Sequence, residues 1–396
     1  MKLFIIVLFM MSFLQAATVV KVDDMFAKSN NCKSCHLPIV NQWKNSWHAK
    51  SHYKNDEYFQ KTINYVSKKT RKSLNGVKLD CAICHNPRVA VTSAGEDYEI
   101  DAVMGLDKGS EVNKALSSDA ISEGINCVVC HNIEEIHYGA KDSVRGINRV
   151  EWTKSGLMSG PYADAKSPYH KVQHRDFMDK KLNKLCFVCH ANDRSVKNIV
   201  FANTKNEYAS SQQLCVDCHM GKRKLGVAST LRIDHGKAKK RMVREHGFKG
   251  AHFDNMIKDS LSISAKQKSN SIIITIKNKL PHNVPTGFGS REILVELSYM
   301  KKQKELKKES LSLSTHYKDR RKHKTVAHLA KKISKDMSIP AKGQKILKVK
   351  NVSGASSVKI SLYYRLVNDE VRSLLKLKDA IWAKKMPITS KVLKLK

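Results

Sequence analysis

The chain of 396 residues has no cysteine outside one repeated pattern and few acidic side chains. Because no thiol is spare, the sequence offers no separate set of structural disulfides. After the first 20 residues no segment has the roughly 20 apolar residues that a membrane span needs, so we expect a soluble mature chain. Only 36 aspartate and glutamate residues oppose 72 lysine and arginine residues, for a formal net charge of +36. A polytopic membrane protein and an acidic protein are thereby excluded.

The repeated pattern is Cys-x-x-Cys-His, and it occurs five times. Two thiols three positions apart can add to the two vinyl groups on one edge of a haem, and the following histidine then lies under the ring as proximal iron ligand. Five disulfides would close very small loops that constrain the unfolded chain little. Zinc knuckles would account for the paired cysteines but not for the histidines. We therefore expect five covalently bound haem c groups. The attachment sites are Cys32, Cys35, Cys81, Cys84, Cys127, Cys130, Cys186, Cys189, Cys215 and Cys218, and the proximal ligands are His36, His85, His131, His190 and His219.

The first residues, MKLFIIVLFMMSFLQAATVV, are typical of a secretory signal peptide over residues 1–17. Lys2 precedes an apolar run, and Ala16 and Ala17 are small enough for cleavage. An uncleaved anchor is the alternative, although Gln15 interrupts the apolar run. No cysteine lies near the cleavage site, so a lipid anchor is not expected. We expect a periplasmic protein, which agrees with export before haem attachment.

The five motifs lie within the first 219 residues, so this region must wrap five haems. Haems then supply much of the apolar core, and we expect short helices and loops. Helices are predicted over residues 41–63, 179–190 and 210–220. The Gly-, Ser- and Pro-rich stretch 139–168 is predicted to be a loop.

The hydrophobic pattern changes to a period of two after about residue 258. Ile272, Ile274 and Ile276 alternate with other residues, and the same alternation recurs over 293–299, 347–350 and 358–365. Period-two patterning with one polar face, here carrying Glu292 and Glu296, indicates half-buried antiparallel strands. Several such strands in about 130 residues predict a small β-sandwich. The stretch 262–271 is the predicted junction. The predicted domains are a haem-binding domain over 18–261 and a basic β-sandwich domain over 262–396.

Positive charge is concentrated in the second of these domains. Residues 262–396 contain 32 lysines and arginines and 9 acidic residues, a net charge of +23. Residues 301–335 alone have 13 basic and 3 acidic residues, with His316, His323 and His328 among them. An exported protein rarely meets nucleic acid, so we expect an acidic redox partner or an anionic membrane surface instead. A solvated, lysine-rich surface without a partner is the alternative.

Twelve histidines lie outside the motifs, and nine of them lie between the first motif and the basic run at 301–335. We expect most of the second iron ligands to come from these nine. His137 follows His131 too closely to reach the opposite face of the same haem, so as a ligand it would bind a neighbouring iron. The alternative is a surface histidine beside Tyr138. The nine are His48, His52, His137, His170, His174, His235, His246, His252 and His282.

Several segments resemble those of multihaem cytochromes c related to the tetrahaem electron acceptor of hydroxylamine oxidoreductase. In NCKSCHLPIVNQWKNSWHAKSH the first motif is followed by the Trp-x-x-Ser-x-His-Ala pattern of that group. EGINCVVCHNIEEIH, GPYADAKSPYH, LCVDCHM and REHGFKGAH also resemble recurring segments. PHNVPTGFGSRE resembles the element that opens a C-terminal β domain in many of them, with Pro281 where glycine is usual. The resemblance implies His48, His137, His170 and His246 as distal ligands, with His252 or His282 as the fifth.

The fold class that follows is an α-helical and irregular multihaem cytochrome domain followed by a small antiparallel β-sandwich domain. Irons with two histidine ligands have no open position, so we expect a periplasmic carrier of electrons in an anaerobic respiratory chain. Without a methionine ligand, its potentials should be low. The alternative is a reductase of a small nitrogen or sulfur oxyanion, which needs one iron with an open axial position. All five motifs end in histidine, whereas pentahaem nitrite reductases typically use a lysine at the catalytic haem. In a third interpretation the β domain is a docking module within a larger complex.

Overall fold

The computed structural model of the protein describes residues 28–396 except 90, 92, 142–143, 154–155, 209–211, 233–235 and 254. The predicted signal peptide and His235 lie outside the described residues. Within the described part, no helix combines the length and apolar character that crossing a membrane requires.

The region that carries the motifs consists of short helices joined by turns and small two-stranded sheets. Its helices are α1 (Ser29–Lys44), α2 (Glu57–Thr70), α3 (Leu74–His85), α4 (Glu96–Met104), α5 (Glu111–Ser117), α6 (Cys127–His131), α7 (Leu182–Cys186), α8 (Thr204–Glu207) and α9 (Cys215–His219). Its strands are β1 (Ile133–Ile136), β2 (Val150–Trp152), β3 (Leu157–Gly160), β4 (Lys171–His174), β5 (Asp193–Arg194), β6 (Val200–Ala202), β7 (Lys224–Val227) and β8 (Lys240–Val243).

The predicted helix over 41–63 is wrong, because the chain leaves the helix after Lys44 and begins α2 only at Glu57. The carbonyl of His48 accepts the backbone N–H of Ile125, 3.0 Å away, so it is committed to a distant segment. Asp56 then caps the new helix by accepting from the N–H of Phe59. His48 and His52 therefore lie in turns rather than on one helix face.

The predicted loop over 139–168 contains two short strands. Strand β2 pairs with β1, and β3 pairs in parallel with β4. The pairing is favoured because Val150 and Trp152 pack against a small buried cluster around Ile133 and Phe177. The predicted helices over 179–190 and 210–220 are each reduced to one short helix, α7 and α9.

The C-terminal region consists of antiparallel sheets, as the alternating pattern predicted. One sheet has three strands in the order β15-β10-β9, and the other has the order β13-β12-β11-β16-β17 with β14 also paired to β12. The short helix α10 (Asp369–Leu375) precedes the last strand. The strands are β9 (Leu261–Lys268), β10 (Ser271–Asn278), β11 (Glu292–Lys301), β12 (Lys304–Lys318), β13 (Lys324–Thr325), β14 (Lys332–Asp336), β15 (Gln344–Lys350), β16 (Ser357–Arg365) and β17 (Met386–Lys394).

One hydrophobic core joins the sheets to the helical region. Ile274 from β10, Val295 from β11 and Ile360 from β16 are fully buried in it, together with Phe59 and Ile63 from α2. Burying one such aliphatic side chain contributes about 1.5–3 kcal/mol. The predicted junction over 262–271 is wrong, because most of it forms strand β9, which pairs along its length with β10.

The predicted polar face of β11 is not solvated. Glu292 and Glu296 are 1% and 8% exposed. Arg365 donates to Glu292 and to Asp369, and Lys385 donates to Glu296 across 2.5 Å. Ion pairing therefore satisfies the carboxylates that the sequence pattern had assigned to solvent.

Candidate haem sites and their histidine ligands

Each Cys-x-x-Cys-His motif lies in or at the end of a short helix. In α3, α6 and α9 the motif histidine is the last helical residue. In α1 the backbone leaves helical geometry at His36, since Pro38 has no N–H to continue the hydrogen-bond ladder. No disulfide joins any of the ten cysteines, all of which lie among the described residues. Positions i and i+3 of a helix lie on one face, so the two thiols of each motif in α1, α3, α6 and α9 point the same way.

Contacts between thiols connect the five motifs into one group. Hydrogen bonding with Cys127 raises the pKa of Cys32, and the same contact lowers the pKa of Cys127 to about 7. Contacts of the same kind raise the pKa of Cys189 through Cys84 and that of Cys186 through Cys215. Motif one therefore adjoins motif three, and motif four adjoins motifs two and five. The charge of Cys130 also raises the pKa of Cys186 and of Cys189, so motif three lies close to motif four.

Three pairs of imidazoles face each other across a similar gap. The ring centres are 6.5 Å apart for His36 and His170, 6.4 Å for His190 and His48, and 6.3 Å for His131 and His246. An imidazole on each face of one iron, with bonds of about 2 Å from nitrogen to metal, puts the ring centres about 6 to 6.5 Å apart. Each pair thus fits the two axial positions of one haem iron. The structure therefore places three of the four distal histidines that the resemblance implies, His48, His170 and His246, each opposite a motif histidine.

Hydrogen bonds from Nδ1 fix the tautomer of several of these rings. Nδ1 of His36 donates to the carbonyl of Ala228 (2.7 Å), and Nδ1 of His131 donates to that of Ser159 (2.8 Å). A proton on Nδ1 leaves the lone pair of Nε2 free for iron. His170, His219, His246 and His282 also direct Nδ1 at backbone carbonyls.

Burial keeps three of the facing imidazoles, those of His48, His190 and His246, in the neutral form that binds iron. Burial, together with the charges of His190 and His219, lowers the pKa of His48 to about 3. Burial likewise lowers the pKa of His190 and His246 to about 4.

Two of the candidate histidines are oriented differently. Nδ1 of His52 accepts the N–H of Lys54 at 3.1 Å, so Nε2 carries the proton and has no lone pair for iron. Nε2 of His174 faces the carboxylate of Asp179 at 3.9 Å. Neither ring contacts the imidazole of a motif histidine in the part of the chain that the structure describes.

His282 lies near the fifth motif. Burial lowers its pKa, and the charge of His219 lowers it further, so the two imidazoles lie close together. His252 instead stacks on Trp47, with ring centres 3.5 Å apart and an angle of 8° between planes. Of the two candidates for the fifth distal ligand, the structure thus brings His282 towards a motif histidine.

His137 is exposed, and its ring contacts no motif histidine among the described residues. Its backbone N–H donates to the carbonyl of Arg149 at 2.7 Å. The structure does not bring His137 opposite an iron position as the sequence predicted, and its role as a ligand stays a prediction.

Sequence reasoning missed Phe248, which lies between two of the imidazole pairs. Its ring centre is 4.5 Å from that of His48 and 5.9 Å from that of His246. The signal was present, because Phe248 is the aromatic residue of the REHGFKGAH segment. Its φ of +45° turns the chain so that the ring packs between the pairs.

Residues 31–132 match the family model described as "Cytochrome c554 and c-prime". The fold is similar to the crystal structure of a penta-heme cytochrome c552 from Thermochromatium tepidum, with a TM-score of 0.67 and 18% identity over 93% of this chain and 98% of that chain. An X-ray structure of a Northeast Structural Genomics Consortium target has a TM-score of 0.14 and 14% identity over 35% of this chain and 88% of that chain, and carries no argument. A comparison with curated proteins gave no match. The first two findings confirm the resemblance to multihaem cytochromes c.

Proposed function

We propose that this chain, which resembles the multihaem cytochromes c in sequence and in fold, is a periplasmic pentahaem electron carrier. When bound, the haems supply reversible one-electron chemistry at iron. The proposal includes five haem c groups, one on each motif, and a domain over 18–261 that precedes a β-sandwich over 262–396. The two antiparallel sheets, which share one core, support the sandwich assignment.

The facing imidazole pairs are the observation on which the proposal depends. His170, His48 and His246 come from segments far from the motifs they face, yet all three stop at the separation that two axial bonds require. An iron with two histidine ligands exchanges electrons without a bound substrate. Histidine in place of methionine at the second position favours low potentials.

The order of the motifs in space supports transfer through the chain. Thiol contacts join motif one to motif three and motif four to motifs two and five, and Cys130 links the two groups. Phe248 packs between the imidazole pairs of motifs three and four. Every motif therefore has another motif as its neighbour, which is the arrangement an electron path needs.

Partners are proposed from the charge distribution. The net charge of +23 over residues 262–396 favours an acidic redox protein or an anionic membrane surface. The apolar run at the N-terminus supports export, which a periplasmic carrier in anaerobic respiration requires.

Intact mass after denaturation and steady-state assays test the proposal together. The expected result is five haem additions to the mature chain, full reduction and reoxidation, and no turnover of nitrite, hydroxylamine or sulfite. Fewer than five additions would contradict the haem count. Turnover at enzymatic rates would contradict a pure carrier.

A reductase is the second candidate, and one observation favours it. Among the described residues, no imidazole ring contacts that of His85, which stacks instead on Phe59 with ring centres 4.1 Å apart. An iron held by His85 alone would have the open position that oxyanion reduction needs. The spin state of the irons separates the two candidates, because an open position gives one high-spin iron and full histidine ligation gives none.

A further inference from the structure

His328 is a half-buried histidine in a short buried segment, residues 325–330, of an otherwise basic stretch of sequence. It is the middle residue of the 3-10 turn Ala327–Leu329, whose other two residues are buried. Its Nδ1 is buried and has no hydrogen-bond partner. A buried polar atom without a hydrogen-bond partner is rare in folded proteins and calls for an explanation.

The turn is held against the haem-binding region. The N–H of Val196 donates to the carbonyl of His328 at 2.8 Å, and the hydroxyl of Ser195 donates to that of Ala330 at 2.6 Å. The ring of Phe201 meets the imidazole edge-on, with centres 4.8 Å apart. The segment that follows the fourth motif therefore fixes the position of this imidazole.

The same segment also lies close to the second motif in space. Asp193 forms an ion pair with Arg145 at 3.0 Å. The next residue, Gly146, has a φ of +56° and lies so close to the motif that a Cβ there would be 2.2 Å from the carbonyl oxygen of Ile83 and 3.0 Å from Sγ of Cys84. The ion pair and His328 thus lie beside the second motif.

The electrostatics agree with this placement of His328 beside the second motif. Burial lowers the pKa of His328, Asp193 opposes the shift, and the charge of His85 lowers the pKa further. Asp193 acts in the same direction on His85. A single carboxylate is therefore within reach of both rings.

The other buried candidates are committed elsewhere. Three of them face other motif histidines, His282 lies near His219, and His252 stacks on Trp47. His48, His85 and His252 share with His328 a buried Nδ1 that has no hydrogen-bond partner. We propose that His328, contributed by the β region, is the second axial ligand of the haem iron held by His85.

The assignment rests on the proposed carrier function and makes it more specific. The β region then completes a haem site in addition to any docking role. It also closes, at the iron held by His85, the axial position that a reductase would need.

Two substitutions at one position test the assignment, with EPR and a redox titration of each purified protein. In His328→Ala, one of the five irons should become high-spin, and added imidazole should restore the low-spin state. In His328→Met, all irons should stay low-spin while the potential of one haem rises, because a methionine ligand raises the potential. If the role of His328 were purely structural, His328→Met would not raise the potential of one haem alone.

His323→Ala is the matched control, since His323 lies in the same basic stretch with a side chain 72% exposed. It should give wild-type spectra. A high-spin iron in the wild-type protein would overturn the assignment. So would unchanged potentials in His328→Met, whether or not the alanine variant folds. If the wild type holds five low-spin haems and both variants match it, the carrier function stands and only His328 is wrong.

Discussion

At the scale of single residues, the surroundings of a histidine decide whether its imidazole can bind a metal. His48 is buried against Phe248 and faces His190, whereas His52, four residues later, accepts a backbone N–H at Nδ1. The first ring offers Nε2 to a metal and the second does not. The spacing of four residues, which suggested a shared helix face, conceals this difference.

Replacing His48 with alanine should turn one low-spin iron high-spin and leave all five haems attached, because attachment depends on the cysteines. EPR of the oxidised protein and intact mass are the two measurements. His52→Ala serves as the control and should leave the low-spin signals unchanged. If both variants match the wild type, His48 does not bind the iron held by His190.

At the scale of secondary-structure elements, a buried ion pair fastens α10 to the sheet. Arg365 at the end of β16 donates to Glu292 across 2.5 Å and to Asp369 of α10 across 2.8 Å. Arg365 and Glu292 are 6% and 1% exposed. The guanidinium therefore compensates a carboxylate that has no access to water.

Arg365→Met should destabilise the protein by about 3–5 kcal/mol, because it leaves the Glu292 carboxylate buried without a partner. The measurement is the midpoint of urea unfolding. Lys114→Met, which breaks the exposed pair with Glu111, should cost only about 0–1 kcal/mol. Equal changes in the urea midpoint for the two variants would show that the buried pair stabilises the protein no more than the exposed pair does.

Glu207, at the end of α8, joins the haem-binding region to the turn before β11. The hydroxyl of Thr286 donates to its carboxylate across 2.5 Å, and the N–H of Asn283 donates across 3.2 Å. Burial raises the pKa of Glu207, these hydrogen bonds oppose the shift, and the charge of Asp336 adds to it. The folded protein therefore holds this proton more tightly than the unfolded chain does.

The contribution of Glu207 to stability is then complete below its ordinary pKa of 4.5 and is lost as the pH rises through the higher pKa of the folded state. Glu207→Gln keeps an acceptor and removes the titration. Its urea midpoint, relative to that of the wild type, should rise as the pH increases from 4.5 towards neutrality. Parallel pH profiles for the two proteins would contradict the raised pKa.

The elements differ in how far the sequence predicts them. Strands β10, β11, β15 and β16 were predictable because a period of two is a local signal. The break between α1 and α2 was not, since it depends on a hydrogen bond from Ile125 to His48, 77 positions away in the chain. The burial of Glu292 likewise depends on Arg365, which no local pattern connects to it.

At the scale of the whole molecule, the haem sites combine local and distant information. Thiols and proximal histidines follow from a five-residue motif. The partners of those histidines come from segments brought together only by folding, such as His36 with His170. Short family-like segments identified three of the facing histidines. His328 lies in no such segment, and the basic residues around it in 301–335 predict a solvated surface.

The charge of the whole molecule should make partner binding depend on salt. The net charge of +23 over residues 262–396 acts over a Debye length of about 8 Å at physiological ionic strength. Electron-transfer rates with an acidic redox partner should therefore fall as salt is added, which stopped-flow mixing can measure. Rates that stay level across the salt series would show that charge does not steer the encounter.

Reductive titration of the purified protein tests the central claim, that five motifs hold five haems in one electron path. Electrons are added stoichiometrically and counted per chain, and an oxidant then removes them. Each chain should take up five electrons and return all five. An uptake of fewer than five, or electrons that the oxidant cannot recover, would contradict it.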